Sequence, residues 1–456
     1  MFKFSSRNGE KDLTKGPIGK TLFYLSVPVI LGMVLQTGYN IADTYFIGLL
    51  GSEELAAISV TFPVVFIFIA IAAGLSVGST ALVSQALGAR KKKEANNMAE
   101  HSLLLSLIVG IIIAVCGILF SAPLFEFMGV SGHVLDMTIQ YSNLIFIGFI
   151  FLFIGFISQG IIQAGGDTVT PAIYLFISVI LNIILDPIMI FGFGQIPAMG
   201  LAGGAVATVL SRGVGASLNI IHLLTGKSAV DIDPKCFCLD FSIMKRIITV
   251  GIPSSVSNSI NSIGMIALMS IVGGFGTAAI AAFGVGVRLE SLAIMPVIGL
   301  STAVTPFIGQ NLGAGKLKRA KKSIMLASVA VIGFMGIFSL VWYFGPSILY
   351  SPFTQDPDVM SIGINYLQII AAGYIFMGLS FIINAAFQGS GHTRLQLFVN
   401  STRWIFVVAI AFMFVSAHRL NGVWIGFPIG NFAGFVVAFT LYKSGLWLKG
   451  FGKEKI

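Results

Sequence analysis

Charged residues are scarce in this chain. Only 10% of its 456 residues are charged, whereas 56% are hydrophobic and the mean hydropathy is +0.94. Soluble globular proteins carry about a quarter charged residues, so the composition excludes that class. Apolar runs of about 20 residues or more, the length that an α-helix needs to cross a bilayer, recur along the chain. The sequence therefore predicts an all-α polytopic membrane protein that lies in a lipid bilayer.

Cysteines and catalytic motifs are equally few. Cys116, Cys236 and Cys238 give no disulfide framework, and no further Cys or His stands near Cys236 and Cys238 to complete a zinc site. Residues 225–228 resemble a phosphate-binding loop, but Ile221 stands where that motif requires glycine. Metalloprotease and serine-hydrolase motifs are absent from the sequence. We therefore expect no enzyme, no cofactor and no ATP-driven pump, so transport must use an ion gradient or be passive.

The formal charge of +9 is concentrated at the ends of the apolar runs. Basic residues gather before the first run, after the second and eighth, in the middle of the chain and at its end, for example Lys20, Arg90, Arg246, Lys322 and Lys443. The other connections carry mainly acids, with Arg419 as the basic exception. The positive-inside rule then places both termini in the cytoplasm of a plasma-membrane protein. No cleavable signal peptide and no nucleic-acid partner are expected.

The apolar runs predict twelve membrane spans. Their approximate positions are 22–49, 55–84, 101–122, 138–162, 170–193, 200–224, 244–272, 279–308, 323–346, 362–386, 394–416 and 422–444.

The second half of the sequence repeats the first at an offset of 225 residues. The matched segments are 27–28 with 252–253, 85–95 with 310–320, and 163–168 with 388–393, after which the offset slips to 222 and Gly200 and Gly204 match Gly422 and Gly426. Because each half has an even number of spans, both insert the same way up, as parallel repeats related by a pseudo-two-fold axis along the membrane normal. We predict two six-helix bundles: an N-lobe at 1–226, a cytoplasmic linker at 227–246 and a C-lobe at 247–456, with a central substrate cleft. The Gln-x-x-Gly segments at 85–88 and 310–313 are interpreted as loop architecture.

Acidic residues within the predicted spans break this repeat. Asp43 corresponds to Leu268 and Asp186 to Ala411, so the fold can be built without either carboxylate. A carboxylate in an apolar span costs roughly 3 kcal/mol on insertion scales, which makes it a functional-site hypothesis. Both aspartates lie toward the outer ends of their spans, so we expect them at similar depth.

Polar residues accompany both aspartates at helical spacing. Gln36, Tyr39 and Asn40 precede Asp43 at steps of three and four, a stripe that faces either a partner helix or a water-filled cavity. Asn182 lies four residues before Asp186 on the same face.

Together these groups predict an oxygen-rich pocket in the N-lobe. Pro187 removes a backbone hydrogen bond nearby and frees a carbonyl. Asp43, Asn182 and Asp186 could hold Na⁺ as oxygen ligands, or the two acids could share a proton. The structural alternative is a salt bridge of the acids with Arg212.

The second half has its own charged residues within the predicted spans, namely Arg288, Glu290 and Arg403. Arg288 and Glu290 are two residues apart and cannot share a helix face. They either pair across helices, for example Glu290 with Arg403, or line the cleft.

The motifs resemble those of multidrug and toxic compound extrusion (MATE) transporters, most closely the prokaryotic DinF-like branch. The segments that carry the resemblance are 39–48, 85–89, 163–168, 182–187 and 200–208, together with the duplicated halves. The resemblance implies antiport, in which cationic or amphipathic drugs leave as Na⁺ or H⁺ enters. It implies that Asp43 is the protonatable or ion-binding acid, that Asn182, Asp186, Tyr39 and Thr208 complete its site, and that Pro28 is a bend point. Another MATE branch has acids on spans seven and ten; here those spans carry Asn258, Asn261 and Asn384 and no acid, so we expect no C-lobe cation site of that type.

A lipid-linked precursor flippase of the same wider superfamily is the alternative function. Such a flippase requires a strongly cationic cleft to hold pyrophosphate, and the charge available here is sparse. We therefore expect an ion-coupled exporter of small organic compounds that acts as a monomer, with Pro28, Gln36, Asn40, Arg288 and Glu290 at the cleft or in its conformational change.

Overall fold

The structure is a computed structural model that describes residues 12–232 and 238–451. Cys236 and several basic residues used in the predicted topology lie outside the described residues, as do the side chains of residues 416–419. The helices in the described ranges are α1 (Ile18–Gly48), α2 (Ser52–Gly88), α3 (Lys92–Phe127), α4 (Gly132–Ala164), α5 (Val169–Phe191), α6 (Leu201–Leu224), α7 (Phe241–Gly273), α8 (Thr277–Gly313), α9 (Leu317–Phe344), α10 (Pro346–Tyr350), α11 (Pro357–Ala371), α12 (Tyr374–Gly389) and α13 (Thr393–Lys443).

The twelve predicted spans are confirmed, with one of them broken. Eleven helical segments in the described ranges are long and apolar enough to cross a membrane, and α11 with α12, bent by 53°, makes the twelfth. The break lies at Gly373, where a Cβ would approach Pro428 Cα to 2.6 Å. Close packing of α13 at this point therefore favours a residue without a side chain.

Spans eleven and twelve, Thr393–Val415 and Leu420–Lys443, both fall within the bounds of α13 but lie side by side rather than end to end. They pack on each other through glycines at four-residue spacing, so that Gly426 faces the carbonyl of Val407 and Gly434 faces Arg403. Small residues of this kind let two membrane helices approach closely.

The described chain forms two compact units that exchange segments within α1 and α7. Unit 1 contains Leu31–Ser255, and unit 2 contains Leu13–Ile30 together with the chain from Val256 onward. Leu31 and Val256 are one repeat apart, and each stands three residues after a proline inside its helix, Pro28 and Pro253. Residues 13–30 therefore pack with unit 2 and residues 247–255 with unit 1, whereas the predicted lobes 1–226 and 247–456 place them the other way round.

The exchanged segments are held by apolar burial. Ile18, Leu22 and Leu25 are buried in the core of unit 2, whereas Ile247 and Val250 are buried in the core of unit 1. All five side chains are at most 9% exposed, so these helix starts pack within the units to which they are assigned.

The segment before α1 is also bound through its backbone. The amide of Leu13 donates to Gln310 Oε1 at 3.0 Å, and Asn311 Nδ2 donates to the Leu13 carbonyl at 3.2 Å. Arg319 donates to the carbonyl of Lys15 at 2.7 Å. The second Gln-x-x-Gly segment thus has a structural role, because the side chains of Gln310 and Asn311 hold the residues before α1 on unit 2.

The matching segment before α7 is held on unit 1 by a histidine. The amide of Asp240 donates to His101 Nε2 at 2.8 Å, and His101 Nδ1 lies 2.8 Å from the carbonyl of Asn97. A carbonyl only accepts, so Nδ1 carries the proton and Nε2 is the acceptor of a neutral imidazole. Asp240 and Lys15 are one repeat apart. The segments before α1 and before α7 are therefore equivalent in the repeat, and each is bound by side chains of the unit in which it packs.

Candidate functional site

A pair of hydroxyl groups joins α1 to α6 within unit 1. Tyr39 Oη and Thr208 Oγ1 lie 2.9 Å apart, and both residues are buried. These are two of the residues that the sequence grouped with Asp43.

Asp186 and Asn182 lie in contact on α5, and neither is exposed to solvent. Asn182 Nδ2 donates to Asp186 Oδ1 at 3.1 Å, which is the contact expected at four-residue spacing. Asp186 Oδ2 and Asn182 Oδ1 are buried and have no hydrogen-bond partner. Pro187 follows inside the same helix. The pair therefore presents two oxygen acceptors that the protein itself does not satisfy.

A small cavity in unit 1 contains the carboxylate of Asp43. Its volume is about 60 Å³, and its polar lining consists of Tyr39, Asn40, Asp43, Thr44, Thr61, Tyr141, Thr208 and Arg212. Asp43 Oδ1 is buried and has no hydrogen-bond partner. Organic ligands occupy pockets of roughly 300–1,000 Å³, whereas a water needs on the order of 10–15 Å³. The cavity is thus of a size for an ion or a few waters.

Arg212 borders this cavity without neutralising the acids. Its guanidinium carbon lies 6.0 Å above the centre of the Tyr39 ring. Among the ion pairs of the described residues, Arg212 forms none with Asp43 or Asp186. The salt bridge considered as the structural alternative is therefore not formed.

The polar stripe on α1 is divided between two environments. Asn40 lines the cavity with Tyr39 and Asp43, whereas Gln36 lies outside its lining and contacts Asn40 through Nε2 at 3.5 Å. Pro28 lies inside α1, before the residue at which that helix enters unit 1.

Tyr141, from α4, is a cavity residue that the sequence reasoning missed. A signal for it was present, because Tyr141 matches Tyr366 at the offset of 225, so both halves keep tyrosine there.

The three charged residues of the second half do not form one cluster. Arg288 is exposed, whereas Glu290 is buried and accepts a hydrogen bond from Tyr366. Arg403 donates through Nε to Asn431 Oδ1 at 2.8 Å. In the part of the chain that the structure describes, Glu290 and Arg403 form no direct ion pair.

The unit 1 oxygens suit a hard monovalent cation or a proton better than a transition metal. The described residues contain no group of three or more His, Cys, Asp or Glu side chains that could hold a metal ion. Asp43 Oδ1, Asn182 Oδ1 and Asp186 Oδ2 are all unsatisfied oxygens, which are the ligands that hard cations prefer. The charges of the two aspartates also interact, so one bound cation would relieve the repulsion between them.

Comparison with known proteins shows the family. The sequence model of the MatE family matches residues 28–188 and 253–413, two segments that begin 225 residues apart and so confirm the repeat. A FAD transporter of Shewanella oneidensis is 30% identical over 92% of this chain and 93% of its own length. The probable multidrug resistance protein YoeA of Bacillus subtilis is 28% identical over 96% of both chains.

Solved structures agree with these sequence matches. An outward-facing multidrug resistance MATE transporter of the MOP superfamily superposes with a TM-score of 0.88 at 30% identity, covering 97% of this chain and 98% of the other. The duplicated helical fold, the matched segments and the similarity over nearly the full length agree. This chain belongs to the MATE family of membrane transporters.

Proposed function

We propose that this protein is a secondary active antiporter that exports small cationic or amphipathic organic compounds in exchange for Na⁺ or H⁺. The observation that carries the proposal is the ion-sized cavity of unit 1, in which Asp43 presents a buried carboxylate oxygen without a partner. The multidrug names of related family members support the substrate class. No observation favours the flippase alternative.

Asp43 is the coupling residue in this proposal, and Asp186 with Asn182 completes its site. The charges of the two carboxylates repel each other, and a proton or Na⁺ removes that repulsion. A conformation that brings them together therefore binds the cation more tightly than one that separates them. A ligand shifts a conformational equilibrium only through such a difference in affinity.

The two candidate ions use these residues differently. Na⁺ would take oxygens from Asp43, Asn182 and Asp186, with the hydroxyls of Tyr39 and Thr208 as further ligands. A proton needs only one carboxylate, and the remaining groups would orient it. Pro28 serves as the bend point at which the rest of α1 responds to the charge of Asp43.

The cellular setting belongs to the same proposal. We place the protein as a monomer in the plasma membrane with both termini in the cytoplasm, following the distribution of basic residues. By sequence repeat we keep the lobes 1–226 and 247–456 with the linker between them, although residues 13–30 and 247–255 each pack in the other unit. Transport requires no enzymatic step and no cofactor besides the coupling ion.

The decisive experiment measures drug efflux from proteoliposomes driven by either a pH gradient or a Na⁺ gradient. We expect one gradient to drive efflux, and we expect Asp43→Asn and Asp186→Asn each to abolish the coupling while substrate binding persists. Asp136→Asn serves as the matched control, because Asp136 is exposed on α4. Gradient-driven efflux that survives both Asp43→Asn and Asp186→Asn would refute the proposal.

A further inference from the structure

Unit 2 contains a buried acid of its own. Glu290, on α8, is only 7% exposed, and its Oε1 accepts a hydrogen bond from the hydroxyl of Tyr366 on α11. No lysine, arginine or histidine of the described chain forms an ion pair with it. Aromatic rings surround the contact, since Tyr366 packs against Trp424 with ring centres 4.7 Å apart. A buried carboxylate without a cationic partner calls for an explanation.

The other titratable groups near Glu290 do not neutralise it. Arg403, on α13, interacts with it at longer range, but its Nε is engaged by Asn431 and its guanidinium carbon lies 5.1 Å over the Trp404 ring. Tyr350, on α10, donates its hydroxyl to the carbonyl of Ala282 at 2.8 Å.

Tyr374, on α12, completes the set of groups whose charge interacts with that of Glu290. Its buried hydroxyl lies near enough to interact with the Glu290 carboxylate as a hydrogen-bond donor, but not in the geometry of an ordinary hydrogen bond. Tyr366, Arg403, Tyr350 and Tyr374 together supply three hydroxyls and one cation around a single carboxylate.

The repeat shows that this acid occupies the counterpart of the unit 1 cavity. At the offset of 225, Tyr366 corresponds to Tyr141 and Glu290 to Val65, and both of those residues line the cavity of Asp43. The counterpart of Asp43 itself is Leu268, which is fully buried. Both units therefore have an acid beside the tyrosine that the two halves share, but unit 1 supplies it as Asp43 from α1 and unit 2 as Glu290 from α8.

The repeat also tests whether packing alone explains Glu290. Unit 1 forms the equivalent helix contacts with Val65 in its place, so the bundle does not need a carboxylate there. Na⁺ is a poor candidate ligand, because the charges of Glu290 and Arg403 sum to zero, whereas in unit 1 two carboxylates outweigh Arg212. A proton needs only the second carboxylate oxygen, Oε2.

We propose that Glu290 is a proton-binding carboxylate in unit 2, which takes up and releases a proton at Oε2 while Tyr366 holds Oε1. In this step an O–H bond forms at Oε2 as an O–H bond of a hydronium ion breaks and releases water, and proton release is the reverse. The proposal extends the proposed function from one unit to both, but it concerns proton uptake by the protein without substrate. Either proposal can therefore fail while the other stands.

The test is an infrared pH titration of the purified, substrate-free protein in nanodiscs, which follows the C=O band of protonated carboxyl groups. We expect the parent protein to show a titrating buried carboxyl that is lost in Glu290→Gln. Glu126→Gln is the control, because Glu126 is an exposed acid on α3. The band assigned to Glu290 should persist in Asp43→Asn, which separates this result from the coupling site of unit 1.

A second variant keeps the carboxylate and guards against misfolding of Glu290→Gln. Tyr366→Phe removes the hydrogen bond to Oε1, so we expect the same band to remain but its frequency and titration midpoint to shift. A set of titrating bands unchanged in both variants would overturn the proposal.

Discussion

The hydroxyl groups of Tyr39 and Thr208, 2.9 Å apart, tie α1 to α6 directly beside the carboxylate of Asp43. This bond positions the acid-bearing part of α1 against the wall of the cavity. Any movement of α1 that accompanies ion binding must keep or break it.

Tyr39→Phe removes this bond and leaves the buried hydroxyl of Thr208 without its partner. Such a change costs about 1–3 kcal/mol, so we expect a lower thermal unfolding midpoint in detergent and weaker gradient-driven efflux. Tyr45→Phe is the matched control, because Tyr45 is exposed on the same helix. Equal effects of the two substitutions would contradict the positioning role.

The contact between Asn182 and Asp186 should appear as an energetic coupling. Asn182→Ala leaves Asp186 Oδ1 without its only donor, whereas in an Asp186→Asn background there is no charge left to stabilise. A double-mutant cycle on unfolding free energy should therefore give a coupling of about 1–2 kcal/mol. The pair Asn182 and Asp43, which share no hydrogen bond, should be closer to additive; a cycle that gives no coupling for Asn182 with Asp186 would rule out the contact.

The glycines that pack spans eleven and twelve against each other, such as Gly426, should tolerate no side chain. A Cβ at Gly426 would lie 2.5 Å from the carbonyl oxygen of Val407, so Gly426→Ala must push the two spans apart. Overpacking of this kind costs about 1–3 kcal/mol, which should lower the unfolding midpoint. Gly333→Ala on α9 is the control, since nothing lies within 4 Å of its Cβ position, and there alanine should be neutral or stabilising. A stable Gly426→Ala variant would show that the spans are packed less closely.

His392, in the turn between α12 and α13, should make stability depend on pH. Burial lowers the pKa of its imidazole below the ordinary value of about 6.5. The unfolded chain then takes up a proton at higher pH than the folded protein, so stability is full above about 6.5 and falls as the pH drops toward the lowered folded value.

His392→Gln should flatten this dependence when unfolding midpoints are measured across that range. Asp167→Asn alters the matching turn of the first half, where the carboxylate accepts from the amides of Val169 and Thr170. It should change stability without flattening this dependence, because the substitution leaves the imidazole of His392 in place. An identical slope in His392→Gln would assign the pH dependence to another group.

Sequence patterns were sufficient for the spans and the repeat, because both depend on local composition and on matching residues along one chain. The break between α11 and α12 was not predictable in this way. Gly373 lies in a continuous apolar run, and its requirement comes from Pro428, which is distant in sequence.

In the site, too, contacts within one helix were predictable from the sequence, whereas contacts between helices were not. The contact of Asn182 with Asp186 follows from helical spacing, whereas the separation of Gln36 from the cavity depends on which helices surround α1. Tyr141 and the pairing of Glu290 with Tyr366 join helices far apart in sequence, and the comparison of the two halves is what connects them.

The exchange of segments at Leu31 and Val256 has a consequence for biosynthesis. Residues 13–30 leave the ribosome first, yet their packing partners are synthesised only in the second half of the chain. Unit 1 in turn remains incomplete until the start of α7 has emerged. Neither half can therefore reach its final packing during translation ahead of the other, and a gene divided within residues 227–246 should yield folded protein only when both fragments are made in the same cell.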